Sequence, residues 1–223
     1  MKRRLRNPVR SLSLSLPILV AAACAPPAPA VSSGPDLAAG QATRMAPAQQ
    51  VLFGRELVIN HDCGGCHVGF DNPAAEGWLA GWKEGGEEPF QIGPFKTYPR
   101  NITPDNATGL GRFSERQIFN SLRFGLRPGE TPDMEITSTT PGQGNFPANP
   151  KYLAPPMPWP AFRHMSDEEL RAIAAYLKRG LRPVSNRVPD SEGPPDFWAS
   201  TWAEMIGTHP APAFPTANER QPQ

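Results

Sequence analysis

The chain has 223 residues, of which 39% are hydrophobic, 29 are proline and 20 are glycine, and its formal net charge is +1. This composition excludes a fibre and a fully disordered chain, and it predicts one small core with long, loop-rich connections. No basic patch or stripe indicates nucleic-acid binding.

Residues 1–23 have the pattern of an export signal. Basic residues come before an apolar run, residues 12–23, that is too short to anchor a chain in a bilayer. Without residues 1–23 the chain keeps 22 − 5 = 17 basic and 21 acidic residues, a net charge of −4. Three alanines precede Cys24, which predicts cleavage there and lipidation of Cys24; the alternative is ordinary cleavage at residues 28–30, which discards this cysteine. We expect a periplasmic protein that an N-terminal lipid tethers to the membrane.

The first helix is expected after a flexible linker at residues 24–46, which is rich in Ala, Pro, Ser and Gly. Apolar residues then follow mixed helical spacing, so a short helix delivers the chain to Cys63. Gly54 in the middle of this helix costs stability unless another backbone or ring packs against it. Residues 71–98 predict only turns, because glycine and proline recur and no periodicity persists.

Two later helices carry clear end signals. Ser114 and Gln117 have the spacing of a capping box, and Gly125 is a C-terminal stop. Ser166 and Glu169 repeat the capping pattern before a second helix. This second helix has one apolar face and a closing glycine, formed by Leu170, Ile173, Ala174, Leu177 and Gly180.

The remaining segments are less regular. Residues 128–156 are expected to be loop. A last short helix is expected around Phe197, Trp198, Trp202 and Met205, before a disordered tail that starts after Pro210.

The motif CGGCH at residues 63–67 carries the chemistry. Two thiols three positions apart, Cys63 and Cys66, match the two vinyl groups of haem, and His67 is then placed to bind the iron axially. Rival interpretations are a redox dithiol, a zinc site and a structural disulfide. A closed zinc site needs four ligands, whereas the chain offers few thiols and scattered histidines. A thioredoxin-like dithiol follows a strand, whereas a helix is predicted here.

The sixth position of a haem iron has several candidate ligands, all of them methionines. Met157 lies in APPMPWPAF, where prolines stiffen an extended segment and reduce the conformational entropy lost on binding. Met165 competes, but it directly precedes a helix N-cap and suits hydrophobic packing there. Met134 suits a surface loop, and Met205 suits packing beside a tryptophan. We therefore predict Met157 as the distal ligand.

Three segments occur in order: CGGCH, then NITPDNATGLGRFSERQIFNSLRFG, then PPMPWPAFRHMSDEELRAIAAYLKRGLRPVSNRVP. With them the chain resembles, over residues 48–189, the single-haem c-type cytochrome domains of bacteria, particularly the electron-transfer subunits of periplasmic dehydrogenases. The resemblance implies an all-α cytochrome c fold whose first and last helices cross around one covalent haem. At the crossing, the ring of Tyr176 is implied to lie over Gly54.

The resemblance also implies roles for single residues. Cys63 and Cys66 are the thioether links, His67 is the proximal ligand and Met157 is the distal ligand. The NITPD segment is implied to run near the haem edge, where a second group of residues contacts the propionates. That group comprises Asn101 and Thr103 as hydrogen-bonding residues and Arg100 and Arg112 as charge partners.

The expected organisation is a cytochrome c domain at residues 47–189 and a partly disordered C-terminal extension at residues 190–223. The expected function is electron transfer by one haem c, from a dehydrogenase or respiratory donor to an acceptor, without substrate chemistry. The alternative is a haem enzyme or gas-binding protein with an open distal site and His164 as its acid–base group. The loop at residues 128–152 and the extension are expected to be either lid and packing elements or partner surfaces.

Overall fold

The computed structural model describes residues 45–86, 88–162, 164–206 and 213–221, so the predicted export signal and Cys24 lie outside it. The regular structure is mostly helical. The helices are α1 Pro47–Asn60, α2 Cys63–His67, α3 Glu115–Phe124, α4 Trp159–Phe162, α5 Asp167–Ala175 and α6 Ala199–Ile206. A 3-10 turn spans Pro128–Glu130, and α5 continues through a π-helical turn at Tyr176–Gly180. No described helix is both long enough and apolar enough to span a membrane.

Both helices with predicted capping boxes form as expected. The Ser114 hydroxyl accepts from the Gln117 N–H at 3.0 Å, and the Ser114 N–H donates to the Gln117 side chain at 3.0 Å. Gly125 ends α3 with a φ of 66°, a conformation that glycine adopts at little cost. Ser166 and Glu169 form the same reciprocal pair at the start of α5. Local sequence therefore determines where both helices begin.

At Gly54, α1 packs closely against α5 and its π-helical turn, residues 167–180, which are together called the C-terminal helix. A Cβ at this position would collide with the backbone carbonyl of Ala172 on α5 and would lie 2.9 Å from the Cβ of Tyr176. The close approach expected at Gly54 is confirmed, but its nearest group is the Ala172 backbone rather than the Tyr176 ring. The predicted apolar face of the C-terminal helix is buried, as expected, at Leu170, Ile173, Ala174 and Leu177.

A short β-hairpin interrupts the region where only turns were expected. Strands β1 (Phe90–Ile92) and β2 (Phe95–Thr97) pair in antiparallel register. The buried Phe95 ring lies 5.1 Å from the ring of Trp198. The prediction of turns alone is therefore wrong at residues 90–97, because tertiary packing supports two strands that are too short to show a periodicity. The fold is helical with this one small addition among the described residues.

The loop after α3 and the C-terminal extension are both anchored to the core. In the loop, the buried Phe146 ring lies 6.0 Å from the ring of Phe124, and a main-chain bridge joins Leu126 to Tyr152. In the extension, Trp198 is buried. The predicted last short helix is confirmed as α6, and residues 213–221 are irregular. These contacts favour packing roles over the partner-surface interpretation.

Replacing Gly54 by alanine is expected to lower the free energy of unfolding by about 2 kcal/mol, because the added methyl group pushes α1 away from the Ala172 carbonyl. Gly129→Ala is the matched control, since nothing lies within 4 Å of a Cβ at that position. Its free energy of unfolding should change by less than about 0.5 kcal/mol. Chemical denaturation followed by circular dichroism measures both effects. Equal denaturation midpoints would contradict the tight packing at Gly54.

Candidate functional site

The short helix α2 carries both cysteines and the histidine of CGGCH, at positions i, i+3 and i+4, which are neighbours on a helical surface. Glycine at position 64 is required by packing, because a Cβ there would collide with the Phe70 carbonyl and with the Trp78 ring. The Trp78 indole N–H in turn donates to the Tyr176 hydroxyl at 3.1 Å. One buried indole therefore links the CGGCH motif to the end of the C-terminal helix.

His67 is held by backbone groups on its side chain and on its main chain. Its Nδ1 lies 2.6 Å from the carbonyl oxygen of Arg100, and its own carbonyl accepts from the Gly81 N–H at 3.0 Å. Because a carbonyl oxygen only accepts, Nδ1 must carry the proton, and Nε2 keeps the lone pair that a metal needs. Burial lowers the pKa of His67, which favours the neutral imidazole. This tautomer leaves Nε2 able to bind a metal ion.

The two thiols of the motif differ in environment. Cys63 is half-buried and carries a free thiol, so no disulfide joins it to the exposed Cys66. Burial, and next the Asp62 carboxylate, raises the pKa of Cys63 to about 12. Redox dithiols contain a cysteine with a lowered pKa, a role that Cys63 does not suit. Among the described residues, no three His, Cys, Asp or Glu side chains are grouped as a zinc site requires.

Met157 lies in a segment that turns and prolines hold in place. Its N–H donates to the Ala154 carbonyl at 3.0 Å, and its own carbonyl accepts from the Trp159 N–H at 2.8 Å. The Met157 side chain is half-buried and packs against the same hydrophobic core as Cys63. Met157, the predicted distal ligand, and Cys63 of the CGGCH motif therefore pack on one core.

Sequence reasoning did not single out Trp159. It is fully buried, and its indole N–H has no hydrogen-bond partner among the described residues. A buried donor without a partner costs about 1–3 kcal/mol, which a bound acceptor beside the Met157 segment would remove. The available signal was the tryptophan itself, since a core indole N–H usually needs a partner.

The competing methionines occupy other surroundings. Met165 is half-buried, packs against the core and precedes α5, as a structural residue there would. Met134 is 55% exposed, as its predicted place in a surface loop requires. The side chain of Met205 lies outside the described residues. Met157 and Met165 are therefore the candidates with a packed side chain.

Asn101 and Thr103, the residues expected near the propionates, are buried and occupied by protein partners. The Asn101 amide donates to the Val184 carbonyl at 2.7 Å and to the Thr108 hydroxyl at 2.9 Å. The amide oxygen of Asn101 accepts from the N–H and hydroxyl of Thr103 at 3.0 and 2.8 Å. These contacts favour a role in locking the loop. Contact with a propionate stays a prediction.

The two arginines expected as charge partners differ in their contacts. Arg100 donates to the Pro189 carbonyl at 2.7 Å and to the Ser191 hydroxyl at 2.9 Å. Arg112 is exposed, and its guanidinium carbon lies 4.8 Å from the centre of the Phe113 ring. Charge pairing with a propionate stays a prediction for both.

The donor set fits a haem group attached through α2. Two thiols are available at the spacing that the group requires, and the adjacent imidazole is neutral with Nε2 free. A soft thioether packs against the same core, and a buried indole N–H next to its segment lacks an acceptor. Each of these features is one that the bound group would use.

Several curated proteins are similar to the chain, although no protein-family model matches it. The gluconate 2-dehydrogenase cytochrome c subunit of Pantoea cypripedii is 32% identical over 116 residues, which cover 49% of the chain and 22% of that protein. The alcohol dehydrogenase (quinone) cytochrome c subunit of Gluconacetobacter polyoxogenes is 29% identical over 154 residues, 67% of the chain and 26% of that protein. The fructose dehydrogenase cytochrome subunit of Gluconobacter japonicus is 27% identical over 145 residues, 65% of the chain and 24% of that protein.

The chain spans about a quarter of the length of the curated relatives it matches. The resemblance that the three sequence motifs implied is confirmed by these relatives.

Asn101→Ala is expected to lower the free energy of unfolding by about 2–3 kcal/mol, because it removes the hydrogen bonds of the Asn101 amide to Val184, Thr108 and Thr103 and leaves the buried Thr103 N–H without its acceptor. Asn149→Ala is the matched control, since Asn149 is exposed in a loop, and it should stay within about 0.5 kcal/mol of the parent. Urea denaturation measures both. Unchanged stability in Asn101→Ala would mean that the loop is not locked as described.

Proposed function

We propose that this chain, which resembles the cytochrome c subunits of dehydrogenases, is an electron-transfer protein with one covalently bound haem c. Cys63 and Cys66 form the thioether links, His67 is the proximal ligand and Met157 is the distal ligand. We assign it the cytochrome c fold, in which α1 and α5 cross around the haem. The mostly helical structure and the close approach of α1 and α5 at Gly54 support this assignment.

The observation that carries the proposal is the hydrogen bond from His67 Nδ1–H to the Arg100 carbonyl, 2.6 Å long. Metal-binding histidines usually donate their second ring N–H to a carbonyl or carboxylate, which fixes the tautomer and makes the ligating nitrogen more basic. In this chain the bond leaves Nε2 free in the residue directly after the second thiol. The C-x-x-C-H spacing is typical of c-type haem attachment, and a histidine whose Nδ1–H is bonded in this way is suited to bind the iron through Nε2.

The haem supplies a one-electron iron couple when it is bound. Hydrogen bonds fix both proposed ligand residues. His67 is hydrogen-bonded through its ring and its carbonyl, and Met157 is hydrogen-bonded through its N–H and its carbonyl. Ligands held in this way keep their positions in both oxidation states, so little reorganisation accompanies the electron.

A methionine at the sixth position favours a carrier over a haem enzyme. A thioether stabilises reduced iron and fills the position that a substrate or gas would need. His164, the acid–base group of the enzyme alternative, is exposed. An exposed side chain is poorly placed to move a proton at an open distal site against the core.

The proposed cellular location rests on the N-terminal sequence, and the proposed redox partner rests on the similar proteins. We propose export to the periplasm and tethering through a lipid on Cys24, which rest on the sequence of residues outside the described part of the chain. We propose a dehydrogenase as the redox partner, because the relatives are named as cytochrome subunits of dehydrogenases. Haem is joined to such motifs outside the bacterial cytoplasm, which agrees with export.

Covalent attachment predicts that the pigment survives extraction with acid acetone and that the protein mass exceeds the mass of the polypeptide with its proposed Cys24 lipid by one haem. A variant with both Cys63→Ala and Cys66→Ala is expected to lose all pigment in the same extraction. Cys24→Ser is the control and should retain the haem, because Cys24 is not part of the motif. Mass spectrometry measures all three proteins. A parent with the mass of bare polypeptide would show that the proposal is wrong.

Met157→Ala is expected to abolish the weak far-red absorbance band of the oxidised protein and to lower its midpoint potential, because the thioether no longer stabilises reduced iron. Met165→Ala is the matched control, since Met165 is also half-buried against the core, and it should keep both properties. Absorbance spectra and a redox titration measure them. If the parent lacks the band and takes up carbon monoxide quickly, the open-site haem enzyme is the better assignment.

A further inference from the structure

Residues 184–202, which we call the strap, follow the C-terminal helix and run back across the domain. Val188 and Trp198 on the strap are buried, and Trp198 packs on Phe95 with 5.1 Å between ring centres. Asp196 forms an ion pair with Arg127 at 3.0 Å. The strap is therefore a packed part of the fold.

One part of the strap contacts the residue that orients His67. The carbonyl of Arg100 accepts the hydrogen bond from His67, while its guanidinium donates to the Pro189 carbonyl and to the Ser191 hydroxyl. The side chain of Arg100 thus ties the acceptor of the histidine bond to the strap. Two donors on one planar guanidinium fix both position and direction.

A second contact reaches His67 through its main chain. The Asn186 amide donates to the carbonyls of Ala80 and Trp82 at 2.8 and 2.9 Å. Between these carbonyls lies Gly81, whose N–H holds the His67 carbonyl at 3.0 Å. Asn186 therefore fixes the short stretch of chain that holds the histidine backbone.

The other end of the strap contacts the segment that carries Met157. The Trp202 indole N–H donates to the Leu153 carbonyl at 3.2 Å. The Trp202 ring lies 5.3 Å from the ring of Trp159 in an edge-to-face arrangement. Leu153 and Trp159 flank Met157 in the chain, so the strap holds this segment on both sides of the methionine.

We propose that the strap is a brace that positions both axial ligands, His67 through Arg100 and Gly81, and Met157 through Leu153 and Trp159. This inference rests on the proposed function, because it takes these two residues as the ligands. The strap residues are positioning residues, since they act through the groups that hold the ligands. Loss of the brace at the histidine end weakens the bond at Nδ1, which makes Nε2 less basic and favours reduced iron. Loss at the methionine end frees the thioether to leave the iron.

The test uses the haem-loaded full chain with one neutral substitution at each end of the strap. Asn186→Ala removes the contacts to the Ala80 and Trp82 carbonyls, and Trp202→Phe removes the N–H that binds Leu153 while it keeps an aromatic ring. Arg187→Ala is the matched control, because Arg187 lies on the strap and is exposed. Neither test substitution changes the charge near the iron.

Two signals report on the two ends separately: the exchange rate of the His67 Nδ1 proton and the rate at which cyanide replaces Met157. Asn186→Ala should raise the midpoint potential and speed exchange of the His67 Nδ1 proton, measured by NMR on the reduced protein, by about tenfold. Trp202→Phe should leave that exchange unchanged and speed the replacement of Met157 by cyanide by about tenfold. Arg187→Ala should match the parent in both signals.

Two outcomes overturn the inference: both variants match Arg187→Ala, or each variant changes both signals equally, as general loosening of the fold would. If Asn186→Ala does not fold, Arg100→Gln replaces it, because the backbone carbonyl that accepts from His67 is retained. Loss of the Arg100 positive charge would lower the potential, whereas release of His67 raises it, so the sign separates the two effects. A parent that lacks covalent haem or the far-red band shows instead that the proposed function is wrong.

Discussion

The arrangement around the CGGCH motif depends on one hydrogen bond, from the His67 ring to the Arg100 carbonyl. A backbone carbonyl orients an imidazole only if the backbone itself is fixed, and the chain around Arg100 is fixed on both sides. The Pro99 carbonyl accepts from the Trp82 N–H at 2.9 Å, and the Ile102 N–H donates to the Leu79 carbonyl at 3.0 Å. The buried Asn101 network and the Arg100 guanidinium then tie the same stretch to the C-terminal segment. The hydrogen bonds around Arg100 therefore fix the orientation of the His67 side chain.

The helices form the platform on which this loop rests. The backbone of α1 touches that of α5 at Gly54, and the Trp78 indole binds the Tyr176 hydroxyl at the end of the same C-terminal helix. Protein interiors are close-packed, so they transmit small displacements rather than absorbing them. A shift of the C-terminal helix would therefore reach the CGGCH motif through Trp78. The fold and the site are one mechanical unit.

The sequence predicted the features whose causes are local. Capping boxes at Ser114 and Ser166, the stop at Gly125 and the CGGCH spacing each depend on residues within a few positions of one another. The close packing at Gly54 was also predictable, because a glycine inside a helix costs stability without such a contact. The hairpin at residues 90–97 was not, since its support comes from Trp198, distant in the chain. The hydrogen bond from Asn101 to the Val184 carbonyl was also not predictable, because no local sequence pattern indicates a partner in a distant segment.

The order of the chain gives the strap a consequence for assembly. The thiols at positions 63 and 66 belong to the first described helices, whereas residues 184–202 follow every other structural element except the end of α6. Synthesis begins at the N-terminus, so α2 is made before the strap, which contacts Arg100 and Leu153 in the complete fold. The proposed attachment of a haem at Cys63 and Cys66 would therefore precede the packing of residues 184–202 against Arg100 and Leu153.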